Sequence, residues 1–108
     1  MILVDLFENA DGDVYGFQIE DHGEDHICSA VSMLVFNAVN SVEAFTDEEF
    51  FCDYPQDGGG FMRFRVPSIE NGTAGRDAKL LTASLALGLR SLIEEYPEQI
   101  RYADKTRV

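Results

Sequence analysis

Basic residues are scarce in this sequence. Only 8 Lys and Arg stand against 20 Asp and Glu, which leaves a formal net charge of −12 at pH 7. Nucleic acids and anionic membranes carry phosphates that such a protein repels at long range. The sequence therefore predicts no nucleic-acid partner and no membrane partner. The acidity suits a basic partner or substrate, although it also simply keeps a small protein in solution.

Cysteine and targeting signals are equally sparse. Two cysteines in 108 residues indicate free thiols rather than a disulfide scaffold. The segment Met1–Asp5 lacks the basic start and long apolar run of a secretory signal, so a cytoplasmic location is the expectation. No uninterrupted apolar run approaches the length that spans a bilayer. With 45% hydrophobic and 26% charged residues and no linker or repeat, residues 1–108 are predicted to form a single domain.

Hydrophobic periodicity predicts the element order β-β-α-β-β-α. The predicted strands are 2–7, 14–19, 50–54 and 61–66, the helices are 26–45 and 76–96, and the loops are 55–60, 68–75 and the tail after Ile100. Helices that follow hairpins can cover one face of an antiparallel sheet. We therefore predict an α+β fold, a two-layer α/β sandwich whose four-stranded, mainly antiparallel sheet carries two helices on one face.

The two predicted helices differ in their apolar patterns. The first has one stripe of Val31, Leu34, Val35, Ala38, Val42 and Phe45, with Asp25 as the predicted N-cap. The second has one face of Leu81, Leu85, Leu89, Leu92 and Tyr96 and another of Leu80, Ala83 and Leu87. Two apolar faces favour a second packing partner, so a homodimer is predicted. The alternative is a helix that lies deep between the sheet and a loop.

Cys28 lies at the start of the first predicted helix, which is a favourable place for a nucleophile. Unpaired N–H groups and the positive end of the helix dipole stabilise a thiolate there. The same amides are suited to hold the oxyanion that forms when a thiolate attacks a carbonyl. The alternative is a small buried thiol of the core. Cys52 stands mid-strand among aromatic residues and is interpreted as a core residue.

Both histidines precede Cys28. His22 is six residues upstream, and Gly23 lets the loop fold back, so its imidazole can take the thiol proton or pair with the thiolate. His26 is two residues away, and helix positions two apart do not face each other, so His26 is the poorer base. The plainer alternative is that both are solvated loop histidines.

The same residues admit a metal site. His22 and His26 are four residues apart and, with Cys28 or an acid, offer donors that zinc prefers. No second ligand cluster such as CxxC is present, and His22 precedes the predicted helix. We therefore assign no metal and no cofactor, and keep a zinc-binding module as an alternative.

Two stretches, 23–32 and 37–45, resemble the ribosomal-processing cysteine protease family called Prp. That family has an Asp-x-x-Cys-x-x-x-Ser signature at the start of its first helix, which Asp25, Cys28 and Ser32 match here. The Asp-Gly hairpin, the Gly-rich turn before the fourth strand and the closing Leu-rich helix extend the likeness along nearly the whole chain.

The resemblance implies a cytosolic, homodimeric endopeptidase with a two-layer α/β sandwich fold. Its expected reaction is removal of the N-terminal extension of a large-subunit ribosomal protein precursor, which supports ribosome assembly. Cys28 matches the family nucleophile, Asp25 the acid three residues earlier and Ser32 the serine one helical turn later. His22 is the expected base.

The loop before Cys28 departs from the family pattern. Asp21 stands where the family has Gly before its His, and fewer residues separate His22 from Cys28. His26 stands where the family prefers an apolar residue. These departures keep open an alternative function, that of a catalytically impaired acidic homodimer that binds a basic ribosomal partner without cleaving it.

Overall fold

The structure, a computed structural model, describes residues 1–55 and 60–103. In this part of the chain the elements are β1 (Ile2–Glu8), β2 (Val14–Glu20), α1 (Asp25–Phe45), β3 (Phe51–Asp53), β4 (Phe61–Arg65), α2 (Pro67–Glu70), α3 (Arg76–Glu95) and β5 (Ile100–Tyr102). The predicted α+β class is confirmed, and the two predicted hairpins and two long helices are present. The predicted loop at 55–60 lies largely outside the described residues, as does the end of the predicted tail.

The sheet is larger than predicted. Its strands lie in the order β3-β4-β2-β1-β5, and β5 pairs with β1 in parallel while the other pairs are antiparallel. The prediction of a four-stranded sheet was therefore wrong, because the segment assigned to a frayed tail forms a fifth strand. Ile100 is fully buried opposite Ile2, and the Ala103 N–H donates to the Val4 carbonyl at 2.7 Å. The Ile2 N–H also donates to the Gln99 carbonyl at 2.8 Å. The burial of Ile100 and these two backbone hydrogen bonds outweigh the polar composition of the tail.

A third helix, α2, occupies the predicted polar loop. Pro67 takes the first helical position, where a missing N–H costs nothing because that amide has no partner inside a helix. Ile69 is fully buried and fastens the short helix to the core. The prediction of two helices was wrong on this point, since a single apolar residue in a polar segment gives no periodic signal.

The core lies between the helices and one face of the sheet. Phe17 and Phe64 from neighbouring strands are both fully buried, with ring centroids 5.5 Å apart. The α1 stripe is buried at Val31, Val35, Ala38 and Val42, as predicted. Phe45 is 72% exposed, so its predicted burial was wrong. Helical spacing gives the direction of a side chain around the axis, but it does not show where the core ends along the axis.

The α1 helix is long and apolar enough to cross a membrane by length and composition alone, with a mean hydropathy of 1.4 over its best window. The prediction that no apolar run approaches that length did not anticipate this helix, whose apolar residues are interrupted by Ser and Asn. Its buried stripe packs in the core of the domain, and core helices pass the same test. The match is weak support for a membrane span.

Candidate active site

The loop between β2 and α1 is held by backbone contacts from three directions. Asp21 adopts a left-handed conformation with φ of 74°, and its N–H donates to the Gly60 carbonyl at 2.7 Å. The His22 N–H donates to the Asp21 carboxylate at 2.8 Å. The α-amino group of Met1 donates to the His22 carbonyl at 2.7 Å. These contacts fix where the loop presents the His22 side chain.

The first turn of α1 differs from the prediction in one residue. Glu24, with extended backbone angles, is the N-cap, and Asp25 is the first helical residue. The Glu24 carbonyl accepts the N–H groups of Ile27 at 3.0 Å and Cys28 at 2.9 Å. The prediction of Asp25 as N-cap was wrong, because the extended conformation that a cap requires falls on Glu24. The exposed Asp25 carboxylate instead lies in the first turn, near the positive end of the helix dipole.

Cys28 is half-buried, and the backbone of Gly23 brackets its sulfur. The Gly23 N–H donates to Cys28 Sγ at 3.2 Å, and the thiol lies 3.4 Å from the Gly23 carbonyl that accepts its proton. One contact stabilises a thiolate and the other a thiol. The Cys28 N–H is already bonded within the first turn. The backbone N–H that points at the sulfur is that of Gly23, which precedes the helix.

A cleft of about 250 Å³ joins three of the four predicted site residues. His22, Cys28 and Ser32 all line it, together with Asp21 and Gly60. Its other walls are mostly apolar and come from the sheet and from α1: Ile2, Ile19, Val31, Val35, Phe36 and Met62. Asp25 does not line the cleft, although it lies in the same helical turn as Cys28. A thiol and an imidazole at one apolar cleft are suited to nucleophilic attack on a peptide carbonyl.

Gly60 leaves room for the His22 ring. A Cβ built on Gly60 would lie 2.7 Å from His22 Nε2 and 2.8 Å from the Asp21 carbonyl oxygen, which is closer than real Cβ contacts. Asp21 and Gly60 were not predicted as site residues. The run of glycines before β4 was the available signal for Gly60. The left-handed conformation of Asp21 could not be predicted from the residue types around it.

His26 lies away from the cleft. Its Nδ1 is 3.4 Å from a Glu24 carboxylate oxygen, and its ring meets Tyr96 edge-on with centroids 6.3 Å apart. The two histidines therefore do not converge on Cys28. Within residues 1–55 and 60–103, no cluster of three His, Cys, Asp or Glu side chains has the arrangement of a metal site. The zinc alternative has no geometric support in that part of the chain.

Cys52 has a different environment from Cys28. It lies in β3, half-buried against the core, and does not line the cleft. Burial, followed by the charge of Asp53, raises the pKa of its thiol above the ordinary value of 9.0. A raised pKa keeps the thiol protonated and unreactive at neutral pH. This agrees with its interpretation as a core residue.

Comparison with known proteins decides the family. A family model described as cysteine protease Prp matches residues 1–101. The chain belongs to this family. A Staphylococcus aureus ribosomal processing cysteine protease Prp is 32% identical over 107 residues, which cover 94% of this chain and 96% of the relative. The Bacillus subtilis protein of the same name is 32% identical over 81 residues, which cover 75% of this chain and 71% of the relative.

Solved structures of the family have the same fold. The S. aureus Prp structure with a covalently linked product peptide gives a TM-score of 0.82 at 29% identity, with 94% of this chain and 97% of that chain covered. The S. aureus Prp structure with a substrate peptide gives 0.81 at 29% identity, with 95% and 98% covered. The resemblance to the Prp family is thus confirmed, and the chain is a cysteine protease of that family.

Proposed function

We propose that this chain is an endopeptidase that removes the N-terminal extension of a large-subunit ribosomal protein precursor in the cytoplasm and so supports ribosome assembly. Its curated relatives are named ribosomal processing proteases, and the S. aureus relative has been seen with substrate and product peptides. The observation that carries the proposal here is the placement of Cys28 and His22 on one cleft.

In this proposal Cys28 is the nucleophile and His22 the base. The sulfur attacks the scissile carbonyl and forms a C–S bond, while His22 takes the thiol proton and passes it to the leaving amine as the C–N bond breaks. Water then attacks the thioester carbonyl and gives a proton to His22, which passes it to the sulfur as the C–S bond breaks and the acid product leaves. The Gly23 N–H, 3.2 Å from the sulfur, stabilises the thiolate before attack.

Asp25 and Ser32 are assigned supporting roles. Ser32 lines the cleft one helical turn after Cys28, so its hydroxyl is available to a bound peptide. Asp25 is exposed in the first turn of α1, where its carboxylate complements the helix dipole and strengthens the turn that carries Cys28. Neither residue exchanges protons with the substrate in this scheme.

The charge of the whole protein supports a basic substrate. A net charge of −12 attracts a positively charged chain at long range and raises its encounter rate. Ribosomal proteins contact RNA phosphates and need Lys and Arg for that purpose. No nucleic-acid, membrane or cofactor requirement enters the proposal.

The test uses a purified ribosomal protein precursor and mass spectrometry of the products. The unaltered protein should release the N-terminal peptide, whereas Cys28→Ala and Cys28→Ser should release none. Cys52→Ala is the matched control and should cleave normally, because its thiol is outside the cleft. Full cleavage by Cys28→Ala would refute the assignment. Binding without cleavage by the unaltered protein would instead support the alternative of a catalytically impaired binder.

We further propose that the protein is a homodimer that pairs through the second apolar face of α3. Leu80 is 61% exposed and Leu87 is 65% exposed, and the exposed Ala83 lies between them on the same side of the helix. Such a continuous apolar strip is typical of an interface between copies rather than of a solvated surface.

A further inference from the structure

We propose that Gln99 is a positioning residue that holds the Gly23–Glu24 peptide group against the Cys28 sulfur. The proposal rests on the assignment of Cys28 as the nucleophile. Gln99 does not line the cleft within the described part of the chain. Its influence on the reaction is therefore indirect.

Gln99 has a rigid base in the turn between α3 and β5. Its N–H donates to the Tyr96 carbonyl at 2.9 Å, and its carbonyl accepts the Ile2 N–H at 2.8 Å. These bonds tie the residue to the end of α3 and to the first strand of the sheet. From this base its side-chain oxygen accepts the Glu24 N–H at 3.2 Å.

That hydrogen bond determines the orientation of one peptide group. The Glu24 N–H and the Gly23 carbonyl belong to the same planar trans peptide, so they point in opposite directions. When the N–H is bound to Gln99, the carbonyl is directed at the Cys28 thiol, from which it lies 3.4 Å. Gln99 and Cys28 thus contact the two ends of one peptide plane.

Gly23 needs this external restraint. Glycine has the largest conformational freedom of any residue, so a loop that turns at glycine does not hold its own peptide planes. Gly23 also supplies the N–H that donates to the sulfur at 3.2 Å. A Cβ on Gly23 would lie 3.3 Å from both Gln99 Oε1 and Ile2 Cδ1, so the contact with Gln99 is already close. Loss of the Gln99 bond would therefore release the carbonyl contact to the thiol, whereas the Gly23 N–H belongs to the preceding peptide, which Met1 holds through the His22 carbonyl.

The experiment compares variants of Gln99 that keep or remove the acceptor. Gln99→Met preserves length without an acceptor, and Gln99→Glu preserves the acceptor oxygen. Glu98→Met is the matched control, because Glu98 is the exposed neighbour in the same turn. The readouts are kcat and KM for precursor cleavage, the iodoacetamide alkylation rate of Cys28 at neutral pH, and the melting temperature.

Gln99→Met should raise the alkylation rate by about tenfold, because the thiol loses the carbonyl that accepts its proton, and should lower kcat by about tenfold, because the sulfur is no longer held in place, with KM unchanged. Gln99→Glu should keep both rates near those of the unaltered protein, and Glu98→Met should match the unaltered protein. Gly23→Ala, which crowds the same contact from the other side, should also change the alkylation rate. It provides an independent test if Gln99→Met does not fold.

Unchanged alkylation of Cys28 in both Gln99→Met and Gly23→Ala would overturn the proposal. Equal changes of the alkylation rate in Gln99→Met and Gln99→Glu would also overturn it. The experiment distinguishes failure of the Gln99 proposal from failure of the proposed function, because the alkylation rate reports on the Cys28 sulfur without any substrate. If Cys28→Ser still cleaves the precursor, the nucleophile assignment fails irrespective of the Gln99 results.

Discussion

Gly60 shows how a residue without a side chain can determine the position of a neighbouring ring. A Cβ at this position would clash with the His22 ring, and the Gly60 carbonyl accepts the Asp21 N–H at 2.7 Å. Of the two histidines, His22 lines the cleft and His26 does not, so the proposed proton transfer depends on where the His22 ring lies. The residue therefore offers a direct test of the His22 assignment.

We expect Gly60→Ala to lower kcat/KM by about 100-fold, the effect of displacing a catalytic group by about 1 Å. The new methyl group would meet His22 Nε2 at 2.7 Å and force the ring to move. Steady-state cleavage of a precursor peptide measures the effect. Gly75→Ala is the control, since its new Cβ would make only an ordinary contact of 3.5 Å with Glu48, away from the cleft. Normal activity in Gly60→Ala would exclude His22, in its observed position, as the base.

At the scale of elements, Glu48 joins three segments. Its carboxylate accepts the Gly75 N–H at 2.7 Å, at the N-terminus of α3, and the Ser68 hydroxyl at 2.9 Å, within α2. Glu48 lies in the connection from α1 to β3. Gly75, the N-cap residue of α3, has no side chain, and its own N–H is bound by a carboxylate 27 positions earlier. The negative charge also complements the positive end of the α3 dipole.

We expect Glu48→Ala to lower the free energy of unfolding by about 2 kcal/mol, since hydrogen bonds to a charged group are worth more than neutral ones. Urea unfolding followed by circular dichroism measures this change. Glu49→Ala is the matched control, because Glu49 is the exposed neighbour and should change stability little. Cleavage at low temperature should be normal in both, as neither residue lines the cleft. A loss of unfolding free energy in Glu49→Ala as large as in Glu48→Ala would contradict this role of Glu48.

The elements also show which parts of the fold can be predicted from sequence. The long helices and hairpins were predictable because their apolar spacing extends over many residues. The β5 strand was not, since three residues carry no periodic signal and its pairing with β1 joins the two ends of the chain. Cys28, His22 and Ser32, chosen from residue chemistry and the family motif, line one cleft, and their catalytic roles stay proposals. Gln99 was not predictable, because its contact with Glu24 spans 75 positions.

At the scale of the whole molecule, α3 has two apolar faces with different environments. Leu85 and Leu89 are buried in the core, whereas Leu80 and Leu87 are more than half exposed. The prediction of a second apolar face thus holds for the exposed residues, and the homodimer stays a proposal. Covering Leu80 and Leu87 would remove apolar surface from water at about 25 cal/mol per Å². This gain in free energy would provide the driving force for the proposed association.

We expect the unaltered protein to sediment at equilibrium with twice the 12.1 kDa mass of one chain. Leu87→Glu should sediment as a monomer, because a buried, unpaired carboxylate at the centre of the interface costs several kcal/mol. Ala10→Glu is the matched control, since it adds the same charge at an exposed turn far along the chain from α3. Circular dichroism should show that both variants are folded.

The two results together decide the interface. A monomeric unaltered protein would reject the homodimer, and a dimeric Leu87→Glu would reject this face of α3 while leaving the dimer itself. Cleavage measured on the folded monomer then tests the independence of the site. Leu80, Ala83 and Leu87 do not line the cleft in the described part of the chain, so Leu87→Glu should keep its kcat once the loss of stability is allowed for. A large fall in kcat for the folded monomer would show that the site depends on the second copy.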